Sequence, residues 1–223
     1  DGADSLRLTY HSPDGEEGYP GNLDIAITYT LTANNKFIIE SEATTDRPTP
    51  LSLANHSYFN LSGEGTGTIE NHLVQIFAES CVMTDDDMTL SGQKQSVAGT
   101  PSDFREARRL GDALPQLFKS HGENYLLRSS ASDAVTPVAR VVDPGSGRVL
   151  AVSTNDCCLQ FYTGVSLEGD LIGKSGGTYV QHGALCLECQ GYPDGGTHPE
   201  FGDILVRPGI PQRRTTIYAF SHI

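Results

Sequence analysis

Residues 23–43 read LDIAITYTLTANNKFIIESEA, and their rhythm decides the fold class. From Leu23 to Thr32 apolar and polar side chains alternate, with Leu23, Ile25, Ile27, Tyr29 and Leu31 on one face. That two-residue period is the mark of a half-buried strand. Asn34-Asn35 then supplies turn chemistry, and Lys36 to Ala43 resumes as a second strand. Outward from this pair, further strands are expected at Leu73 to Ala78, Val138 to Val142, Val149 to Ser153, Leu159 to Thr163, Ala184 to Gln190 and Thr216 to Phe220. Between them lie clusters of turn formers such as Asp14-Gly15, Pro144-Gly145-Ser146-Gly147 and Gly176-Gly177. Only Asp103 to Leu117 admits a short helix. Short strands punctuated by 24 Gly and 12 Pro predict an all-β, antiparallel sandwich or barrel. No linker, repeat or composition break divides residues 1–223, so one domain is expected.

Composition narrows the function. An apolar fraction of 37% with 19% charged residues is ordinary for a soluble globular protein. No run approaches the ~20 apolar residues that cross a bilayer, and no secretory h-region opens the chain. A net charge of −13 repels phosphate backbones and anionic lipid, which argues against nucleic acid and membrane partners. Five cysteines cannot all pair within one chain. Cys186 and Cys189 form a C-x-x-C without a second pair at zinc-ribbon spacing, and adjacent Cys157 and Cys158 read as small buried hydrophobes. A reduced, cytoplasmic protein is expected.

Two residues stand out chemically. His56 sits among aromatics in Leu51 to Leu61, LSLANHSYFNL. If this run is extended, His56, Tyr58 and Asn60 share one face, and Asn55, Ser57 and Phe59 the other. Glu188 interrupts the apolar strand Ala184 to Gln190, where a carboxylate is costly to bury unless paired or used. A histidine and a carboxylate in a water-poor cleft make a general acid and a general base. Spacing alone also allows a satisfied core histidine and an exposed edge glutamate. Asn55-His56-Ser57 and Asn60-Leu61-Ser62 fit the glycosylation pattern by chance, and Arg105 to Arg109 is too short to claim nucleic acid. Asp85-Asp86-Asp87 reads as a solvated turn, since the later EF-hand glutamate is missing.

Five ordered motifs carry a resemblance. Asp14 to Leu23 (DGEEGYPGNL), Asn55 to Leu61 (NHSYFNL), Gly99 to Arg105 (GTPSDFR), Gln160 to Gly164 (QFYTG) and Cys186 to Gln190 (CLECQ) followed by Pro193-Asp194 resemble segments of the galactose mutarotase (aldose 1-epimerase) family. Leu205 to Phe220 is similar to that family's closing strand. The resemblance implies an antiparallel β-supersandwich with a sugar on a concave sheet face. It implies an isomerase that interconverts the α and β anomers of free aldoses such as galactose and glucose. Glu188 takes the catalytic base position and His56 the catalytic acid position, while Tyr58 and Gln160 fall at sugar contacts. Their two side chains are expected to flank a space the width of a sugar ring. Only protons move, so no metal or redox cofactor is implied.

Three departures qualify the match. The family shows a Gly-aromatic-Asp-His-Asn run whose Asp binds sugar hydroxyls, whereas this chain has His121-Gly122-Glu123-Asn124-Tyr125. Registering on Asn124 puts Gly122 at the Asp position, and Glu123 is the nearest carboxylate left to bind substrate. In a strand that one-residue offset would turn Glu123 to the other face; on a loop it could reach. Cys157-Cys158 replaces a Pro-Gly pair. The family's N-terminal ANR-type and LHGG-type motifs do not occur here, and the chain begins with Asp1. A fold lacking its N-terminal strands is therefore expected, with exposed edges that a missing segment or a companion chain would cover. Two other classes stay open: an inactive sugar-binding protein on the same fold, and an epimerase of hexose 6-phosphates.

Overall fold

The computed structural model describes residues 4–84, 90–117, 122–127 and 134–223. Asp85-Asp86-Asp87 and His121 lie outside the described residues. Among the described residues fifteen strands run in chain order: β1 (Asp4–Ser12), β2 (Leu23–Leu31), β3 (Lys36–Thr45), β4 (Thr49–Pro50), β5 (Leu73–Ile76), β6 (Ser80–Thr84), β7 (Leu90–Ser96), β8 (Arg108–Arg109), β9 (Glu123–Leu126), β10 (Thr136–Val142), β11 (Arg148–Thr154), β12 (Cys158–Tyr162), β13 (Cys186–Gln190), β14 (Leu205–Val206) and β15 (Gln212–His222). All pair antiparallel. Eight form one sheet in the order β1-β2-β3-β15-β11-β10-β5-β8, five form a second in the order β13-β12-β9-β6-β7, and β14 pairs with β4.

The quoted hairpin forms as its alternation predicts. β2 and β3 pair from Leu23 opposite Thr45 to Leu31 opposite Phe37, and Asn35 takes the left-handed conformation that closes the turn. The expected helix does not form. Asp103 to Leu117 contains two single 3-10 turns, Leu110–Asp112 and Leu114–Gln116. Gly111 weakens any continuous helix and Pro115 cannot donate within one, so the segment curls in short steps. Leu51 to Leu61 forms no strand; it is tied down where the Leu51 amide donates to the Ile204 carbonyl at 2.9 Å and where Phe59 bridges Leu185.

One core lies between the two large sheets. Val74, Ile76, Val141, Leu150, Val152 and Tyr218 from the eight-stranded sheet meet Tyr125, Leu159, Phe161, Leu187 and Cys189 from the five-stranded one. Strand periodicity then sends every other residue of β9, β12 and β13 to the outer face of their sheet. At the far edge β1 is exposed along both faces, with Leu6, Leu8 and Tyr10 more than half accessible.

Candidate active site

Register builds the site. β13 pairs with β12 so that Glu188 lies opposite Gln160, and β12 pairs with β9 so that Gln160 lies opposite Asn124. Glu188, Gln160 and Asn124 therefore form a row across three strands on the outer face. Cys186 and Gln190 share that face with Glu188, and Tyr162 shares it with Gln160. Cys189 points the other way, into the core. The C-x-x-C is thus split across two faces and cannot chelate. All five cysteines are buried and unpaired.

An outer face would ordinarily be wet, yet Glu188 is only 8% exposed. The Leu51 to Leu61 run lies beside the edge strand β13, pinned where Phe59 exchanges antiparallel backbone hydrogen bonds of 2.8 and 2.9 Å with Leu185. This brings His56 Nε2 to 3.4 Å from Glu188 Oε1. The His56 ring stacks on Tyr58 at 4.9 Å and meets the edge of Tyr162 at 6.2 Å. The shared face of His56 and Tyr58, expected of an extended run, is present. Burial pushes the Glu188 carboxyl above its ordinary range, and the neighbouring His56 pulls back against it. Burial first, then the charges of Cys186, Tyr162 and Glu188, raise the Tyr58 hydroxyl, which stays protonated at neutral pH. Burial and the Glu188 charge likewise hold Cys186 as a thiol. Asn124 Nδ2 donates to Gln160 Oε1 at 2.8 Å and so fixes which end of that amide accepts. Asn124 Oδ1 is a buried acceptor with no hydrogen-bond partner.

A buried carboxylate, an imidazole, a neutral hydroxyl donor and an oriented amide gathered on one sheet face are groups able to move protons on a polyol. The family model described as aldose 1-epimerase matches residues 1–219. This chain belongs to the aldose 1-epimerase family. It is 42% identical over 221 residues to the galactose mutarotase of Rattus norvegicus, covering 98% of this chain and 64% of that protein. The Homo sapiens galactose mutarotase is also 42% identical over 221 residues, with the same coverage. Among solved structures, an aldose epimerase homologue from C. elegans superposes with a TM-score of 0.86 at 28% identity, covering 98% of this chain and 66% of that one. The chain thus spans about 64% of the length of these mutarotase relatives.

Against the family pattern, two expectations need correction. Glu123 lies in β9 opposite Phe161, on the face shared with Tyr125, and so is turned from the row that holds Gln160. Its negative charge acts instead on Tyr125 and Cys81, both core residues. The one-residue offset places it in a strand, where parity decides. Gly122, at the family's Asp position, has φ +81°, and a Cβ there would stand 2.1 Å from the Phe161 carbonyl oxygen. No side chain fits without moving backbone. The second correction concerns spacing: Glu188 and His56 touch, and do not flank a ring-sized gap. Asn124 and Tyr162 went unremarked as site residues in the sequence. Two-residue counting from Gln160 marks Tyr162, but placing Asn124 needs the strand pairing.

Proposed function

We propose that this chain carries the acid–base centre of an aldose 1-epimerase acting on free hexoses such as galactose and glucose, with Glu188 as base and His56 as acid. The observation that carries the proposal is the 3.4 Å approach of His56 Nε2 to a buried Glu188 carboxylate. Relatives named galactose mutarotase and aldose 1-epimerase support the substrate class.

The short separation suits the chemistry. The two oxygens that exchange protons, the anomeric hydroxyl and the ring oxygen, are bonded to the same carbon, so acid and base work side by side. Glu188 as carboxylate takes the proton of the anomeric hydroxyl as the C1–O1 bond becomes a carbonyl. The C1–ring oxygen bond breaks, and its electron pair takes the proton of charged His56. The open aldehyde turns about C1–C2. The C5 hydroxyl then adds to the opposite carbonyl face, returning a proton to His56 while Glu188 returns the other to O1. No proton is gained or lost overall. Burial raises the basicity of Glu188, which sharpens its pull on a weakly acidic hydroxyl. Tyr58 and Gln160 contact sugar hydroxyls, and Asn124 holds the Gln160 amide for that contact.

Among the described residues no helix is long and apolar enough to cross a membrane. Five buried free thiols fit a reducing compartment, and we place the protein in the cytoplasm. Polarimetry on freshly dissolved α-D-galactose and α-D-glucose tests the activity: the protein accelerates the approach to anomeric equilibrium, and rotation that relaxes at the spontaneous rate refutes the proposal.

A further inference from the structure

His56, Cys186 and Glu188 form a cluster that the proton chemistry does not fully use. Their donor atoms, an imidazole nitrogen, a thiol sulfur and a carboxylate oxygen, all lie within 4.8 Å of one another. Among the described residues this is the one group of three metal-ligating side chains gathered so closely. Zinc holds nitrogen and oxygen donors at about 2.0–2.2 Å and sulfur at about 2.3 Å in tetrahedral geometry, so its ligand atoms stand roughly 3.4–3.6 Å apart. The His56 to Glu188 separation of 3.4 Å is already there. Sulfur lies within 4.8 Å of the other two donors and so need close in by no more than about 1.3 Å, a side-chain adjustment. Three protein ligands leave a fourth position to water, as in the open type of zinc site. A thiol with an imidazole selects zinc-like cations over magnesium or calcium. The exposed flank of His56 gives a path in, and a chain of net charge −13 draws cations toward it.

We propose that His56, Cys186 and Glu188 bind a zinc-class divalent cation, and that the bound cation switches the acid–base pair off. Binding displaces the Cys186 thiol proton to solvent, so that sulfur ligates as thiolate, and the cation occupies the lone pair of His56 Nε2 and the Glu188 carboxylate, so neither can pass a proton while it stays. The switching rests on the roles assigned to these two residues under the proposed function; the binding does not.

The test separates the two. Cobalt(II) is titrated into the purified protein and followed by absorption. The expected result is a thiolate-to-cobalt charge-transfer band with visible bands of tetrahedral intensity, saturating at one ion per chain. Cys186→Ala and Cys186→Ser should each abolish the charge-transfer band. Each should also weaken cobalt binding by at least about 100-fold, since losing even an outer partner of a metal ligand costs 10–100-fold. Circular dichroism checks that the variants fold, and the paired variants guard against loss of one. No thiolate band, or a band that survives both substitutions because another cysteine supplies it, overturns the binding. Zinc should inhibit mutarotation reversibly by chelator, with the half-inhibiting concentration at least about 100-fold higher in Cys186→Ala. Saturating zinc that leaves the rate unchanged overturns the switching. If cobalt binds through Cys186 but no preparation mutarotates, the metal site stands and the enzymatic reading falls.

Discussion

At the scale of single residues, the account concentrates chemistry on two side chains. Glu188→Gln keeps shape and removes the base, so kcat should fall by about 10²-fold or more, and His56→Asn should cost a similar factor. Polarimetry with folded variants checks this, and parental rates in either would remove that residue from its role. Stability should move in the opposite sense. Burial raises the Glu188 carboxyl above its unfolded value. Between the two values the folded chain binds more protons than the unfolded chain, so stability falls as pH rises through the raised value. Glu188→Gln should therefore melt higher than the parent at pH 8 and converge with it below pH 4. Thermal unfolding at the two pH values measures the difference, and a variant that melts lower at pH 8 contradicts it. At Gly122 the family's Asp cannot simply be restored. Its left-handed backbone and the 2.1 Å approach to Phe161 make Gly122→Asp destabilising by about 1–3 kcal/mol or more, without gain in sugar affinity.

At the scale of elements, much of this could be read before folding. The first strand of residues 23–43 follows from alternation, and runs bounded by turn formers mark β5, β10, β11, β12, β13 and the core of β15. Others were illegible for physical reasons. Glu123–Leu126 is four residues long, too short for a period to declare itself, and its parity is what misdirected the reading of Glu123. Leu90–Ser96 is LSGQKQS, without an apolar side chain after Leu90, and becomes a strand because β6 offers it hydrogen bonds. The meeting of His56 with Glu188 depends on residues 51–61 docking beside the edge of β13 through Phe59 and Leu185, a long-range pairing that no local pattern encodes. Two of the quoted motifs turn out to serve architecture. In Asp14 to Leu23, Asp14 accepts from the Gly21 amide at 2.6 Å and from Arg47, closing a tight turn. In Gly99 to Arg105, Asp103 accepts two bonds from Arg105, chiefly for which its carboxyl lies far below the usual range, and the fully buried Phe104 packs edge-on to Phe161 at 5.5 Å. Phe104 thus props β12 from beneath, on the side opposite Gln160. Phe104→Ala should cost about 3–5 kcal/mol of stability, read as a lower denaturant midpoint. A midpoint within error of the parent would show that β12 does not lean on it.

At the scale of the molecule, two stacked antiparallel sheets divide the labour. The space between them takes the apolar residues of β9, β12 and β13, and the alternate residues are left to make a polar floor outside. The Leu51 to Leu61 run, bridged to the edge of that sheet, brings the half-accessible His56 against the buried Glu188 carboxylate, whose burial raises it above the ordinary range. On the proposed roles, ring opening needs one protonation state, with Glu188 ionised and His56 charged. The measurement that tests this most directly is the pH dependence of kcat/KM for mutarotation, corrected for the spontaneous reaction. The account predicts a bell, whose limbs describe the coupled pair rather than either residue alone. Its acid limb should lie above the ordinary glutamate range, because burial raises the base, and should disappear from the residual activity of Glu188→Gln. A profile flat from pH 4 to 9, or an acid limb unchanged in that variant, would contradict the claim that these two residues open the sugar ring.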